Sequence, residues 1–202
     1  VYTSLEPSYA WAVAAQPDGK IVAGGTAFDG TRYNFALARL NSNGSLDTSF
    51  DGDGKRTHNA VSGNNDQITD IALQPDGKVV VAGTSNATVS TAGKKFILAR
   101  YTTSGANDTS FSGDGVEDVS FGPGASVEAS GITLQSDGKI VAAGSVKIGS
   151  NEDIAIVRYN SNGTPDTSFD GDGKKTINFD KVPSAERSGA VAMQTIGGTQ
   201  KI

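Results

Sequence analysis

The sequence lacks several residues and segments on which common protein chemistries depend. Its 202 residues include no cysteine, which excludes disulfides, thiolate metal sites and cysteine nucleophiles. No apolar stretch approaches the roughly eighteen residues of a membrane span, and no run of five Lys or Arg residues occurs. Together with a net charge of −5, these absences predict no nucleic-acid binding and no membrane insertion.

Glycine, in contrast, is abundant. The chain has 26 glycines and only 19% charged residues, a balance typical of many short strands joined by tight turns. With 36% hydrophobic residues it is long enough for a globular domain with a real core. It begins at Val1 rather than at methionine, which indicates a processed or excised piece.

A pentapeptide repeats along the chain. Gln-Pro-Asp-Gly-Lys at residues 16–20 recurs at 74–78, and again at 135–139 with serine in place of proline. A degraded copy begins at Gln194, and the four starting positions are 58, 61 and 59 residues apart. Spacing this regular is the signature of a tandem structural repeat.

Each repeat predicts four strands. In the first repeat these are residues 11–16, 20–25 and 35–40, with a fourth strand starting near Lys55. The Pro-Asp-Gly turn closes a hairpin between the first two strands, because proline presets φ and glycine tolerates the next position. A long Asn/Asp/Gly turn at 41–54, repeated at 160–173, joins the last two. Short apolar strands between such turns favour antiparallel sheets over helices.

Four short antiparallel strands per unit describe a blade of a β-propeller, so the predicted fold class is all-β with propeller blades. The predicted blades cover residues 11–58, 68–121 and 129–180 of one repeat domain spanning 1–202. A partial fourth blade is predicted at 189–202, with a fourth-strand remnant at 1–5. A propeller closes with about four to eight blades. We therefore expect an incomplete ring that a longer chain or another copy completes.

The repeated motifs resemble the bacterial delta-60 repeat. They are Gln-Pro-Asp-Gly-Lys-Ile/Val-Val, then Phe-x-Leu-Ala-Arg-Tyr/Leu, then Asn-Gly-Ser/Thr-x-Asp-Thr-Ser-Phe-x-Gly-Asp-Gly. The resemblance implies a β-propeller within large secreted or surface-associated bacterial proteins whose biochemical role is not established, and it implies no catalytic residues. The chain departs from the pattern at Ser112, where the other repeats have aspartate, and at 194–201, where the tight turn is replaced.

Loop lengths distinguish the two faces of the predicted propeller. From the pentapeptide glutamine to the glycine that ends the second strand there are nine residues in every repeat. From that glycine to the arginine of the third strand there are 14, 17 and 14. We call the face with the uniform turns the repeated face and the opposite face the individual face, where specificity usually lies. The individual face comprises residues 26–34, 59–66, 85–95, 122–128, 146–153 and 180–187.

Two Asp-Gly-Asp-Gly turns are candidate metal sites. Carboxylates this close together suggest Ca²⁺, but the spacing of an EF-hand is absent, and aspartate beside glycine also stabilises turns through its own backbone. Turn chemistry is the preferred interpretation, so calcium is a possible but not a favoured cofactor. The weak candidate ligands are Asp47, Asp51, Asp53, Asp166, Asp170 and Asp172.

An arginine stands inside the apolar third strand of each repeat. A guanidinium near a core needs a partner, and each is followed eight residues later by an aspartate. The predicted structural pairs are Arg39 with Asp47, Arg100 with Asp108, and Arg158 with Asp166. Phe50, Phe111 and Phe169 are predicted to plug the space between blades.

Two further features give weaker indications of function. His58 is the only histidine, no motif places a Ser or Asp with it in a triad, and we predict that it lies in solvent. Trp11, Tyr9 and Tyr2 could form an aromatic platform for a sugar. Because Trp11 falls on a predicted first strand, core packing is the preferred interpretation.

The sequence favours a non-enzymatic binding or structural module that recognises protein or glycan through the individual face. It is expected to be extracellular or on the cell surface and to form part of a larger chain or a homo-oligomer. One alternative is a propeller hydrolase acting on a carbohydrate or phosphoester, although the single histidine and the lack of cysteine weigh against it. Another is a pure spacer repeat of a larger surface protein.

Overall fold

The computed structural model describes residues 8–87, 93–178, 189–196 and 199–202. Within these ranges the regular structure consists of strands, and no helix long and apolar enough to span a membrane is found. The strands are β1 Ser8–Ala15, β2 Ile21–Phe28, β3 Tyr33–Leu40, β4 Lys55–His58, β5 Asn64–Leu73, β6 Val79–Ala87, β7 Lys95–Tyr101, β8 Val116–Val119, β9 Ser126–Leu134, β10 Ile140–Ile148, β11 Asn151–Tyr159, β12 Lys174–Ile177, β13 Gln194–Ile196 and β14 Thr199–Lys201.

The first twelve strands form three antiparallel sheets of four, each in sequential order. This is the arrangement of a propeller blade and confirms the predicted fold class. Each sheet is one repeat: β1 to β4, β5 to β8, and β9 to β12. In such a meander, the connections after the second and fourth strands leave from one end of the sheet. The two turns with constant lengths leave from the other end, as the division into faces requires.

A β-bulge in the first strand of every blade explains one glycine of the motif. The register of β1 against β2 shifts between Ala10 and Ala12, and equivalent shifts occur in β5 and β9. The bulge brings a carbonyl close to the glycine that was predicted to end the second strand. A Cβ on Gly25 would lie 1.9 Å from the Tyr9 carbonyl oxygen, and one on Gly144 would lie 1.8 Å from that of Glu128. These positions therefore require glycine.

The strands extend beyond their predicted bounds toward the individual face. The second strand of the first blade reaches Phe28, which pairs with Tyr33, so only residues 29–32 form the connection. The partial fourth blade also differs from its prediction. Residues 189–193, predicted as a first strand, lie outside the strands and pass beside Gly131 of β9, whereas β13 and β14 form a short hairpin.

The hydrophobic core lies between blades. Strand β5 packs on the face of the first sheet, and β9 packs on the face of the second. Phe35 and Leu37 of the first blade are buried with Ile68 and Ile71 of the second. Phe96 and Leu98 of the second are buried in the same way beneath the third. The first two blades are therefore each stabilised by the blade that follows, as expected of a repeat protein.

The two outer faces of the three-blade stack carry apolar residues that no described blade covers. On the first blade, Val13 is 71% exposed, whereas its counterpart Ile71 is buried against the first blade. On the third blade, Ile154 and Ile156 are half-buried where the preceding blades have fully buried residues. These two outer surfaces therefore present apolar side chains at the positions that are buried between the blades in the interior of the stack.

Candidate functional site

The repeated face is built on the predicted arginine–aspartate pairs. Arg39 Nε lies 2.7 Å from Asp47 Oδ2, and the guanidinium is only 5% exposed. The second and third blades repeat this contact, with Nε to Oδ2 distances of 2.8 and 2.6 Å. The prediction of one structural pair per blade is confirmed. The pairs are Arg39–Asp47, Arg100–Asp108 and Arg158–Asp166.

A lysine and a serine complete each pair, and the sequence reasoning missed both. Lys20, the last residue of the pentapeptide, places Nζ 2.9 Å from Asp47 Oδ2. The Ser49 hydroxyl donates to Asp47 Oδ1 at 2.7 Å. This hydroxyl and the Lys20 ammonium, together with Arg39, hold the pKa of Asp47 well below its usual range. The pentapeptide lysine and the serine of Asp-Thr-Ser-Phe occur in every repeat that has the arginine and the aspartate. This joint recurrence is the sequence signal that could have predicted the four-residue contact.

The phenylalanine of each Asp-Thr-Ser-Phe motif lies between the arginine and the next blade. Arg39 stacks over the Phe50 ring at 4.7 Å, and Phe50 is fully buried. Gly105 of the second blade covers this ring, because a Cβ there would come within 3.2 Å of it. Across the same boundary, Arg39 Nη1 donates to the Thr103 carbonyl at 2.6 Å. The predicted role of this phenylalanine as a plug between blades is confirmed for the interior boundaries.

The candidate metal ligands all make contacts with residues of their own blade. Asp51 and Asp170 adopt left-handed backbone conformations with φ of 51°, as does Ser112 with φ of 52°. Aspartate tolerates this conformation better than most residues, which accounts for its presence there. The carboxylates of Asp51 and Asp170 also lie 3.3 and 2.9 Å from Arg56 and Lys175.

The second aspartate of each Asp-Gly-Asp-Gly turn binds the backbone two residues later. Asp53 accepts from the Lys55 N–H at 2.8 Å, and Asp172 accepts from the Lys174 N–H at 2.9 Å. Among the residues that the structure describes, no group of three or more His, Asp or Glu side chains is placed to hold a metal ion. These contacts favour the turn interpretation, and calcium binding stays an untested hypothesis.

The prediction that His58 lies in solvent is wrong. His58 is half-buried at the boundary between the first two blades, with Nδ1 2.8 Å from the hydroxyl of the fully buried Tyr101. Its Nε2 lies 3.0 Å from Asn107 Nδ2, while Asn107 Oδ1 accepts from Arg56 at 3.1 Å. Because arginine can only donate, the amide orientation is set and Nε2 must accept. The network thus requires a neutral imidazole that carries its proton on Nδ1.

Burial reinforces this requirement. It lowers the pKa of His58, the nearby Arg56 guanidinium lowers it further, and Asp114 opposes them. No sequence pattern indicates this network, because the partners of His58 lie 43 and 49 residues later in the second blade.

The individual face contains an open cleft between the first two blades. It has a volume of about 290 Å³, close to the lower limit of small-molecule sites. Its aromatic side is formed by Tyr9 and Trp11, which are 52% and 57% exposed. The ring centroids are 6.1 Å apart and the planes are inclined at 33°. The preferred prediction that Trp11 packs in the core is therefore wrong.

The bulge in β1 explains why Trp11 is exposed. It interrupts the alternation of side chains, so that Ala12 and Ala14, and not Trp11, pack in the core between the first two blades. Tyr9 lies on the same side of the sheet as its neighbour Thr26, which faces the second blade. The third aromatic residue of the predicted platform, Tyr2, lies outside the described residues.

Polar side chains from four strands line the rest of the cleft. Asn65 is held by the Tyr33 N–H, which donates to its Oδ1 at 3.0 Å. Gln67 and Thr84 project from β5 and β6. Lys94 is paired with Glu128 of the third blade at 2.5 Å. Apart from this pair and the fully buried Asp66 carboxylate, the cleft is lined by amides, hydroxyls and aromatic rings, which suit a neutral polar ligand.

A buried carboxylate fixes the loop beside the cleft. Asp66 is fully buried, and its Oδ2 accepts from the backbone N–H groups of Ala60 and Val61 at 2.8 and 3.1 Å. Burial raises the pKa of Asp66, although these hydrogen bonds oppose the change. Hydrogen bonds to Asp66 therefore hold this loop of the individual face in place, although the loop sequences differ between blades.

Comparison with known proteins places the repeat in a family. No curated protein matches the chain. The family model described as Domain of unknown function (DUF5122) beta-propeller matches residues 16–50, 74–111 and 135–169. Each match begins at the pentapeptide glutamine and ends at the phenylalanine that follows the aspartate of the arginine pair. Together the three matches cover more than half of the 202 residues, and the chain belongs to the DUF5122 beta-propeller family.

Proposed function

We propose that this β-propeller segment is a non-enzymatic binding module, secreted or displayed on a cell surface, that recognises its ligand through the individual face. The observation that carries the proposal is the contrast between its two faces. On the repeated face, Asp47 and its counterparts are engaged by arginine, lysine and serine of the same blade. On the individual face, an open cleft lined by exposed aromatic rings lies between two blades.

Local structure supports ligand recognition on that side. Two of the connections on the individual face show how they differ between blades: the first blade uses four residues at 29–32, and the third uses the two residues 149–150. Where they are described, they are ordered by their own bonds. Asp29, for example, accepts from the N–H groups of Thr31 and Arg32, both at 2.8 Å. Rigid loops that differ between repeats on a common scaffold are suited to one specific ligand.

The module also contributes blades to a larger assembly, completed by further chain or by further copies. Phe169 and Arg158 at the end of the third blade are more exposed than their interior counterparts, and no described residue covers them as Gly105 covers Phe50. At the other end, a Cβ on Gly44, the counterpart of Gly105, would meet no described residue within 4 Å. The third blade therefore exposes the phenylalanine side of this interblade contact, and the first blade exposes its glycine side.

The native mass tests whether further blades or further copies complete the propeller. We expect a native particle larger than one 20.6 kDa chain, whether further blades or further copies add the mass. Sedimentation of the protein isolated from its source measures it directly. A native mass of one copy at micromolar concentration would contradict the assembly proposal and leave the binding proposal intact.

A loop exchange tests the binding proposal. Replacing residues 29–32 with Gly-Ser, the connection of the third blade, changes the individual face while keeping a turn that the chain already uses. The matched control is Pro75→Ser on the repeated face, which makes the second pentapeptide identical to the third. Both proteins are screened against an array of glycans and a set of purified extracellular matrix proteins. We expect the exchange alone to abolish binding, and equal binding by both variants would refute the proposal.

A further inference from the structure

We infer that the cleft bounded by Tyr9, Trp11, Asn65 and Gln67 is a binding site for a neutral carbohydrate. The inference rests on the proposed function, because it names the ligand class of the individual face. Its starting point is the exposure of Tyr9 and Trp11, which together present a large apolar surface to solvent at the edge of a concave site. Contiguous exposed apolar surface that is rimmed by polar residues is typical of a ligand-binding groove.

The two aromatic rings suit the apolar face of a sugar. A pyranose ring carries C–H groups on its flat faces and hydroxyls around its edge, so it packs on an aromatic ring while its hydroxyls stay available for hydrogen bonds. Tyr9 and Trp11 lie 6.1 Å apart with their planes inclined at only 33°, and thus form a curved platform. A platform of this kind can hold two adjacent sugar units, one on each ring.

The polar lining can bind the hydroxyls at the edge of such a ligand. Asn65 already accepts the Tyr33 N–H through Oδ1, so its NH₂ group is the part that can donate to a ligand. The Gln67 side chain makes no hydrogen bond within the described part of the chain and offers one donor group and one acceptor. Thr84 Oγ1 accepts the Ala129 N–H at 3.0 Å, which leaves its hydroxyl hydrogen to donate.

Charge favours a neutral sugar over an acidic one. Lys94, the cation of the lining, forms an ion pair with Glu128, so its charge is already compensated. Asp66 is fully buried and bound to two backbone N–H groups. The cleft therefore presents no uncompensated cation to a carboxylate or sulfate group. A polymer of neutral hexoses or N-acetylhexosamines fits this lining better than an acidic polysaccharide.

The chain contains a built-in reporter for this site, because Trp11 is its only tryptophan. The full chain is titrated with cellohexaose, chitohexaose, maltohexaose and mannohexaose while Trp emission is recorded. We expect at least one of these neutral oligosaccharides to give a saturable blue shift and to protect Trp11 from acrylamide quenching. A matched acidic oligosaccharide, hexagalacturonate, is expected to bind at least ten-fold more weakly.

Three variants assign the signal to the cleft. Tyr9→Ala removes half of the platform but keeps the reporter, and we expect binding at least ten-fold weaker. Gln67→Ala removes one hydrogen-bonding group and is expected to weaken binding about two- to ten-fold. Val13→Ala is the control, because Val13 lies on the same strand, is 71% exposed and does not line the cleft. It is expected to bind as the wild type does.

The outcomes separate this inference from the proposed function. If no neutral oligosaccharide perturbs Trp11, or if Tyr9→Ala binds as tightly as Val13→Ala, the carbohydrate site is refuted. If a matrix protein still binds and the 29–32 exchange abolishes that binding, the individual face remains a binding surface with a different ligand. If neither sugars nor matrix proteins bind, both proposals fail together.

Discussion

Truncating the phenylalanine plug tests how the blades stabilise one another, because the chain contains its own control. Phe111 and Phe169 occupy equivalent positions beneath Arg100 and Arg158, with ring distances of 4.9 and 4.8 Å. Phe111 is fully buried and Gly163 of the third blade covers it, since a Cβ there would come within 2.9 Å of the ring. Phe169 is only half-buried.

The two truncations should therefore differ in cost. Phe111→Ala removes a fully buried ring and leaves a cavity between rigid sheets, which typically costs about 3 to 5 kcal/mol. Phe169→Ala loses burial on one side only and opens no closed cavity, so about 1 to 2 kcal/mol is expected. Since both variants lose the same stacking on arginine, the difference of about 2 kcal/mol measures what the following blade contributes.

Urea denaturation followed by far-ultraviolet circular dichroism measures both variants against the wild type at low protein concentration. For slopes of a few kcal/mol per molar urea, we expect the midpoint of Phe111→Ala to fall by about 1 M or more and that of Phe169→Ala by roughly half as much or less. Equal losses in dilute solution would refute the argument that an uncovered outer face distinguishes the third blade. Equal losses only at high concentration would indicate that another copy covers Phe169.

Three other predictions follow from local geometry. Gly144→Ala should cost at least about 3 kcal/mol or prevent folding, because its Cβ would lie 1.8 Å from the Glu128 carbonyl oxygen. Gly149→Ala meets no residue within 4 Å and has only the cost of its left-handed φ of 64°, about 1 kcal/mol, so it should lower the melting temperature less. The depressed pKa of His58 means that its contribution to stability is complete above about pH 6.5 and is lost as the pH falls below this value, by at most about 1.4 kcal/mol per pH unit. Urea midpoints between pH 7.5 and 5 should therefore fall more steeply for the wild type than for His58→Gln, and parallel curves would contradict the network. Because the six candidate aspartates already make contacts within the chain, millimolar calcium or EDTA should leave the melting temperature unchanged, and a calcium-dependent rise of several degrees would establish a metal site.

The repetition in the sequence was sufficient to predict the blade. A side chain that recurs in every repeat must satisfy the same local environment each time, so Arg39 and Asp47 could be paired from their spacing alone. The same reasoning placed Phe50 between blades. Ion pairs and plugs of this kind lie within one repeat or at its boundary, which is why a single period of the sequence contains the information for them.

Features that occur only once could not be predicted in this way. His58 is the only histidine and is predicted to lie in solvent because no motif pairs it with a Ser or Asp, yet its partners Tyr101 and Asn107 belong to the next repeat. Trp11 was assigned to the core because it lies on a strand, whereas a bulge at that residue turns it toward the cleft. In both cases the determining contact crosses a blade boundary or depends on an irregularity in the strand, and neither leaves a periodic signal.

The residue after each interblade phenylalanine shows how one blade is joined to the next around the propeller. At the interior boundaries a left-handed residue after the ring donates its N–H to a turn of the next blade: Asp51 to the Ser104 carbonyl and Ser112 to that of Asn162, at 2.8 and 3.0 Å. The third blade retains this geometry at Asp170, with φ of 51°, although no described blade follows it. If the proposed successor blade carries a turn of the same kind, that turn would lie over the exposed Phe169 and accept the Asp170 N–H.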